Sequence, residues 1–466
     1  MSMTEMDRDE RAETSEDDAY ALNRETVTAI LEAVRAGDAP LLTGLMEPLH
    51  AADIADLLEQ LSEPDREALV RLYDREFDGE ILSELGEGIR EEVIGYLRPE
   101  VLAEAVRELD SDDVVDILED VSEPEQQTAI LEALDEADRV AVEQSMSYAE
   151  ESAGRLMQRE VVWMPEHLTV GEAIDHMRSQ LDLPDQFYHV VLVDPRHRPV
   201  ANVTLGRIMS SDRPTKLAEI AEPTFHVIPV TQDEEDVAYA FNQYHLISAP
   251  VVDDTGRLVG VITIDDAMIV LGEEHEEDIL LMAGLGAEEE VSDRVRDIAR
   301  ARFVWLAVNL VTAIFASIVI AQFAETIEAV VALAVLMPIV ASMGGNAGTQ
   351  SMTVAVRSLA TRDLTGQNAR RVILREVAVG AINGFGFGII MAIVAAVWFG
   401  IPMLPVVIAI AMLLTLVAAA MGGIVIPILL DRFGIDPALA SGPFVTTVTD
   451  VVGFFAFLGL AATMLL

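Results

Sequence analysis

The chain has 466 residues, enough for several domains, and carries 79 acids against 30 bases, a net formal charge of −49. So acidic a protein is ill suited to nucleic acid, whose phosphates are bound by Lys and Arg. The absence of cysteine excludes disulfides, thiolate metal centres and cysteine nucleophiles. From Ala301 onward seven acids balance seven arginines, so the whole excess lies in the first 300 residues, and one lysine, Lys216, stands against 29 arginines. An acidic, lysine-poor surface is what a halophile presents to a salty cytoplasm, and most of these acids read as solvated surface.

The opening MSMTEMDRDERAETSEDD is polar and acidic. It lacks the basic start and apolar stretch of a signal peptide, and residues 1–23 are expected to form a disordered tail. Over 24–151 an apolar residue followed by a break or cap recurs at a spacing of 12: Leu61-Ser62, Tyr73-Asp74, Leu85-Gly86, Leu97-Arg98, Leu109-Asp110, Val121-Ser122. Pro64, Pro99 and Pro124 sit where a first helical turn tolerates proline. The spacing predicts an all-α superhelical N domain of short helices, each burying its apolar face on its neighbours.

Strand-and-helix text follows, with an internal duplication. HVVLVDPRHRPVANVTLGRIM from His189 aligns with SAPVVDDTGRLVGVITIDDAM from Ser248 at a constant offset of 59. Each copy reads as an apolar strand, a turn around Asp194 or Asp253, a second strand and a helix. This resembles an α/β tandem pair of CBS domains, expected over 152–216 and 217–275. The resemblance implies a possible adenine-nucleotide site, ATP or a relative, through a Thr-x-x-Asp ribose motif. The second copy has Thr263 and Asp266, whereas the first has Arg207 at the Asp position. Seven acids are then packed into 14 residues: Asp265, Asp266, Glu273, Glu274, Glu276, Glu277 and Asp278. Residues 276–302 are expected to form a charged connecting helix that runs into the membrane.

Five apolar segments, about 303–323, 327–354, 373–398, 404–430 and 437–464, are each long enough to cross ~30 Å of hydrocarbon. Arginines precede the first span and fill the connections between the second and third and the fourth and fifth; the other two loops and the C-terminus have none. The positive-inside rule therefore predicts cytoplasmic N-terminal domains and an outside C-terminus, in the cell membrane. The second span contains GGNAGTQS. Pro338 and Gly344-Gly345 are expected to loosen that helix, and Asn346, Thr349, Gln350 and Thr353 fall on one helical face that needs water or a polar partner. In the fifth span Gly442, Thr446 and Asp450 share a face. Asp450 is the one acid near the middle of a span, and a carboxylate there marks a cation path or a proton relay. Gly380, Gly384 and Gly388 in the third span read as a helix-packing stripe.

The layout and the motifs GGNAGTQS, Arg357-Ser358-Leu359-Ala360, DPALASGP and TTVTD, which ends at Asp450, resemble the MgtE magnesium channels over nearly the whole chain. The resemblance implies a multidomain membrane protein that forms a homodimer with one pore on its axis. It implies that Asp450 binds hydrated Mg2+ there, with Asn346 close to the path. Thr446 and the carbonyl near Gly345 are expected as weaker contacts; Gly442 stands where some relatives carry Asn. It also implies that Mg2+ held by Asp266, Glu276, Glu277 and Asp278, with Asp265, Glu273 and Glu274 beside them, keeps the pore closed. Mg2+ gives up its waters reluctantly, so a path for it should offer oxygens to a hydrated ion, and two aspartates across a two-fold would form a negative ring. Mn2+ and Co2+ accept the same oxygen donors. The alternative is a cation-coupled secondary transporter, but five spans do not divide into the two halves typical of such folds. No phosphate loop or catalytic constellation is apparent, so an enzyme is not expected.

Overall fold

The computed structural model describes residues 22–121, 124–179, 183–184, 186–222, 224–286 and 295–466. The acidic tail up to residue 21 and the stretch 287–294 lie outside the described residues. The chain forms two compact units, one through Leu271 and one from Gly272 onward.

Among the described residues the first unit opens with ten α-helices: α1 (Arg24–Ala36), α2 (Ala39–Met46), α3 (Ala51–Gln60), α4 (Glu63–Tyr73), α5 (Glu80–Ser83), α6 (Glu87–Tyr96), α7 (Pro99–Ala105), α8 (Ser111–Asp120), α9 (Pro124–Ala133) and α10 (Glu136–Ser145). Leu61, Leu97, Leu109 and Val121 end helical segments in extended conformation, as the twelve-residue spacing predicts. Each helix is too short to be stable alone. One continuous apolar core, from Ile30 to Val142, holds them together. Two arginines, Arg66 buried and Arg90 partly buried, pin successive layers. Arg66 of α4 donates to the Leu58 carbonyl and pairs with Glu92, and Arg90 of α6 donates to the Leu85 carbonyl and pairs with Asp120.

After α11 (Ala153–Leu156) come two similar modules. The first has β1 (Trp163–Pro165), α12 (Val170–Ser179), β2 (His189–Val193), β3 (Pro199–Thr204) and α13 (Leu205–Ser210). The second has β4 (Ile228–Pro229), α14 (Glu234–Tyr244), β5 (Ser248–Val252), β6 (Leu258–Thr263) and α15 (Ile264–Ala283). In each, the first strand runs parallel and the third antiparallel to the middle one. The duplicated text thus becomes duplicated structure, down to the register shift at Leu192/Val193 and at Val251/Val252. Asp194 and Asp253 make the same turn, each accepting backbone N–H groups with one carboxylate oxygen. The equivalent positions of the two copies also meet: His189 Nδ1 lies 2.7 Å from Ser248 Oγ.

The expected connecting helix over 276–302 is not one element. α15 starts inside the second module and ends at Ala283, followed by Gly284 at φ 77°, a left-handed conformation that ends the helix. Helix resumes at Val295 in α16 (Val295–Ala321), which continues through the first span. A short helix, α17 (Ala324–Ala329), precedes the second span. The remaining spans are α18 (Ala332–Ala360), α19 (Ala369–Phe399), α20 (Leu404–Arg432) and α21 (Pro437–Met464). Among the described residues five helices are long and apolar enough to cross a membrane. α20 is the most buried of them, and its Val407, Ile408, Ala411 and Met412 join Leu333, Leu336, Phe457 and Leu458 in one core.

Candidate functional site

The second span differs from expectation. α18 is a continuous helix through Pro338 and through the whole of GGNAGTQS. Its backbone bonds stay inside the helix, as a lipid surrounding requires. The glycines serve packing instead. A Cβ on Gly344 would lie 2.8 Å from Thr415 Cγ2, and one on Gly348 2.7 Å from Val445 Cγ1 and 3.1 Å from Thr449 Cγ2. Opposite them, a Cβ on Gly423 of α20 would lie 2.5 Å from the Gly348 carbonyl oxygen. Three helices therefore meet around Gly344, Gly348 and Gly423, α18 and α20 backbone to backbone and α21 through the Val445 and Thr449 side chains. Gly345 faces open space, and its carbonyl is not released, because the helix is unbroken. The third-span glycines do pack as their spacing predicts: Cβ atoms on Gly380, Gly384 and Gly388 would lie within 2.8 Å of α20 atoms.

At 100° per residue, Asn346, Thr349, Gln350 and Thr353 all point away from the Gly344–Gly348 contact. All four are exposed in the single chain. On α21, Thr449 is fully buried in the glycine contact, Thr446 is exposed and Asp450 is half-buried. The Thr446 hydroxyl donates to the Gly442 carbonyl at 3.0 Å. Among the described residues no hydrogen bond joins Asn346 to Asp450. Two polar faces thus flank one tight helix contact; their threonine hydroxyls donate to their own helices, Thr446 to Gly442 and Thr353 to Thr349, both at 3.0 Å. Glu376 of α19 was not singled out from sequence. It is 9% exposed and accepts a hydrogen bond from Ser351 Oγ of α18 at 3.2 Å.

Carboxylates also gather in the first unit. The first turn of α8 is polar yet buried: Ser111 is 3% and Asp112 7% exposed. The strand-like segment 158–160 ties this turn to the second module. Gln158 exchanges both backbone bonds with Val261 at 2.9 Å, and Arg159 Nη1 donates to the Val259 carbonyl at 3.0 Å. Arg159 N donates to Ser111 Oγ at 2.8 Å, and Ser111 Oγ donates to Glu160 at 2.9 Å. The stitch sets α8 beside the start of α15. Burial pushes the Asp112 carboxyl well above the usual carboxylate range, and the neighbouring Asp266, Asp113 and Asp110 add to the rise. Asp113 is pushed up to about 7, by burial first and then by Asp116, Asp266 and Asp110. Asp266 is pushed up to about 6 by burial. Its hydrogen bonds from Thr263 N and Oγ1 oppose the rise and Asp265 adds to it. Thr263 Oγ1 also contacts Asp265, although one hydroxyl proton serves one acceptor at a time.

Of the other predicted acids, Glu273 and Glu276 are exposed on α15, and Glu274, Glu277 and Asp278 are half-buried. The Asp278 carboxyl is raised by burial and then by Asp436, with His275 opposing. Asp436 caps α21 by accepting the Ala438 N–H at 2.7 Å. Just beyond, Leu281 at the end of α15 packs with Met352 and Val356 of α18 and Ala438 and Val445 of α21. Asp112, Asp113 and Asp436 were missed by sequence reading. The apolar face of α8 runs through Ser111, Val114, Val115 and Leu118, and Asp112 falls beside Asp116 instead, so the helix pattern carried no signal for it. Among the described residues no group of three or more His, Asp or Glu forms a ready metal cage. These are crowded acids, and a divalent cation, binding through its waters or with a small rearrangement, would relieve their mutual repulsion.

The fold and these sites define a class: a polytopic membrane protein with an acid-rich N-terminal module and a polar, carboxylate-bearing face among its spans. Family models match residues 337–460 as MgtE, a divalent cation transporter, residues 49–151 as the MgtE intracellular N domain and residues 217–273 as a CBS domain. The magnesium transporter MgtE of Thermus thermophilus is 33% identical over 448 residues, 95% of this chain and 99% of that protein. The magnesium transporter MgtE of Bacillus subtilis is 27% identical over 441 residues, 95% of this chain and 98% of that one. A crystal structure of the cytosolic domain of the Mg2+ channel MgtE in complex with ATP is 31% identical, with a TM-score of 0.48, over 52% of this chain and 99% of its own. The chain belongs to the MgtE family.

Proposed function

We propose that this protein carries Mg2+ across the cell membrane into the cytoplasm, through a path lined by the polar faces of α18 and α21 in a homodimer. The observation that carries the reading is the placement of Asn346, Gln350, Thr353, Thr446 and Asp450 on the exposed side of spans that are otherwise apolar. Hydrated Mg2+ fits such a face, because hydroxyl, amide and carboxylate oxygens can bond its waters without stripping them. Two Asp450 carboxylates facing across a two-fold axis make a negative constriction that favours a divalent ion. Asn346 and Thr446 hold the hydration shell; Gly345 contributes clearance, not a carbonyl.

Cytoplasmic Mg2+ closes the path. It neutralises the crowded Asp112, Asp113, Asp265 and Asp266 in the first unit and the Asp278–Asp436 pair in the second, with Glu273, Glu274, Glu276 and Glu277 enriching the local cation concentration. Closure requires tighter Mg2+ binding in the closed state than in the open one. An adenine nucleotide at the paired modules would use Thr263 and Asp266, and would therefore share Asp266 with the acidic cluster. The N-terminal unit lies in the cytoplasm and the C-terminus outside, following the arginine distribution.

The test is Mg2+ uptake by liposomes containing the full chain. Asp450→Asn keeps the shape and removes one charge per chain. At ~4 Å and an effective dielectric of ~20 a single charge contact is worth ~4 kcal/mol before desolvation and screening. Uptake should therefore fall by more than about tenfold, while the oligomer stays intact by size exclusion. Uptake at the original rate would remove Asp450 from the path. Uptake that requires a proton or Na+ gradient would favour a coupled transporter over a channel.

A further inference from the structure

We propose that Arg371 and Arg375, flanked by Arg370, form a binding surface for the phosphate headgroups of anionic phospholipids at the start of α19. The placement is unfavourable for the protein alone. α19 begins at Ala369 with no acid in its first turn. Arg370 and Arg371 occupy that turn, where the helix dipole already presents positive charge. Arg371 and Arg375 are one turn apart, and like charges at that spacing repel. All three side chains are exposed. Arg370 and Arg371 have no ion-pair partner among the described residues, and Arg375, its side chain 64% exposed, reaches Glu376 at 3.4 Å.

Position decides which anion fits. The buried side of α19 is the glycine row Gly380, Gly384 and Gly388 against α20. Arg371 lies half a turn round from that row, in line with Ile382, Phe385, Ile389 and Ile393, which are 72%, 66%, 46% and 61% exposed. On a helix long enough to cross a membrane, such an exposed apolar row is a surface suited to acyl chains. Leu374, 58% exposed, stands between the two arginines. α19 has 31 residues, ~46 Å of helix, whereas the hydrocarbon core is ~30 Å thick, so its charged first two turns stand at headgroup depth. A small inorganic anion would find guanidinium groups on exposed side chains only. A phospholipid brings a phosphate for the arginine forks and acyl chains for the apolar row directly below, so both halves of one ligand are matched.

The full chain is reconstituted into nanodiscs of equal phosphatidylglycerol and phosphatidylcholine, and the lipids retained on extraction are counted by native mass spectrometry. Phosphatidylglycerol should be enriched. R371Q/R375Q should weaken that enrichment by roughly fivefold per arginine removed, and R371K/R375K should keep most of it. Where R371Q/R375Q does not purify as a single species, R370Q/R371Q, which leaves the Arg375–Glu376 pair intact, reads the same effect. Equal retention of both lipids, enrichment that survives both glutamine variants, or displacement of phosphatidylglycerol by inorganic phosphate at matched ionic strength would each overturn the assignment.

Discussion

At the scale of single residues, the glycines of α18 carry a specific consequence. Gly423 of α20 admits no Cβ, since one would lie 2.5 Å from a backbone oxygen and 2.9 Å from Ser351 Cβ. The helices must separate to accept it. Gly423→Ala should therefore destabilise the membrane unit by ~1–3 kcal/mol, seen as an earlier loss of the monodisperse peak on heating in detergent. Gly345→Ala is the control. Its Cβ would meet nothing within 4 Å, and alanine gains up to ~1 kcal/mol over glycine within a helix, so the peak should survive as well as in the parent. The two substitutions look alike in sequence and are separated by packing alone. The spacing of Gly380, Gly384 and Gly388 made their role legible without coordinates. GGNAGTQS did not, because a glycine pair beside polar residues is equally consistent with a broken helix.

At the scale of elements, α6 and α8 are held by a nearly dry ion pair, Arg90 to Asp120 at 3.1 Å, with side chains 15% and 9% exposed. Burial pushes Asp120 up to about 7 even though Arg90 opposes the shift. Arg90→Leu leaves the acid buried without its partner and should cost roughly 3 kcal/mol in urea unfolding. R90L/D120L should recover much of that, since an apolar pair of similar volume needs no desolvation. The contact between α8 and the start of α15 gives a pH signature. The folded pKa values of Asp112, Asp113 and Asp266 all lie above the unfolded value of ~3.9, with Asp113 at about 7 and Asp266 at about 6. Below ~3.9 these acids are neutral in both states and cost nothing. Between there and about 7 the folded state holds the extra protons, so stability declines as pH rises. Without Mg2+, thermal unfolding of the full chain should begin at lower temperature at pH 7.5 than at pH 5.5. Mg2+, which needs ionised carboxylates, should restore the difference at the higher pH and do little at the lower.

At the scale of the whole molecule, the acidic cluster should set the Mg2+ concentration at which transport stops. Asp112→Asn and Asp266→Asn each remove a charge from the crowded group while the Asp450 face is unchanged. The double variant should need several-fold more cytoplasmic-side Mg2+ for half-inhibition in a liposome flux assay, with the uninhibited rate preserved. An unchanged midpoint would mean that these acids do not sense Mg2+. The assay belongs at matched ionic strength, because in molar salt the screening length falls to ~3 Å and distant acids cease to contribute.

The twelve-residue helical spacing, the offset-59 duplication, the five apolar segments and the arginine asymmetry are local or periodic patterns, and sequence by itself determined them and with them the fold class. Such patterns follow from properties of the chain taken a few residues at a time: caps, alternation, hydrophobic length. Three things were decided by tertiary structure. Asp112 became part of an acidic cluster because segment 158–160 stitches α8 to β6, a long-range pairing with no mark in either stretch. Asp436 joined Asp278 because α15 ends beside α21. GGNAGTQS stayed helical because glycines that would weaken an isolated helix instead admit Thr449, Val445 and the backbone of α20, and in a medium without water the packed, fully bonded helix costs less than a broken one.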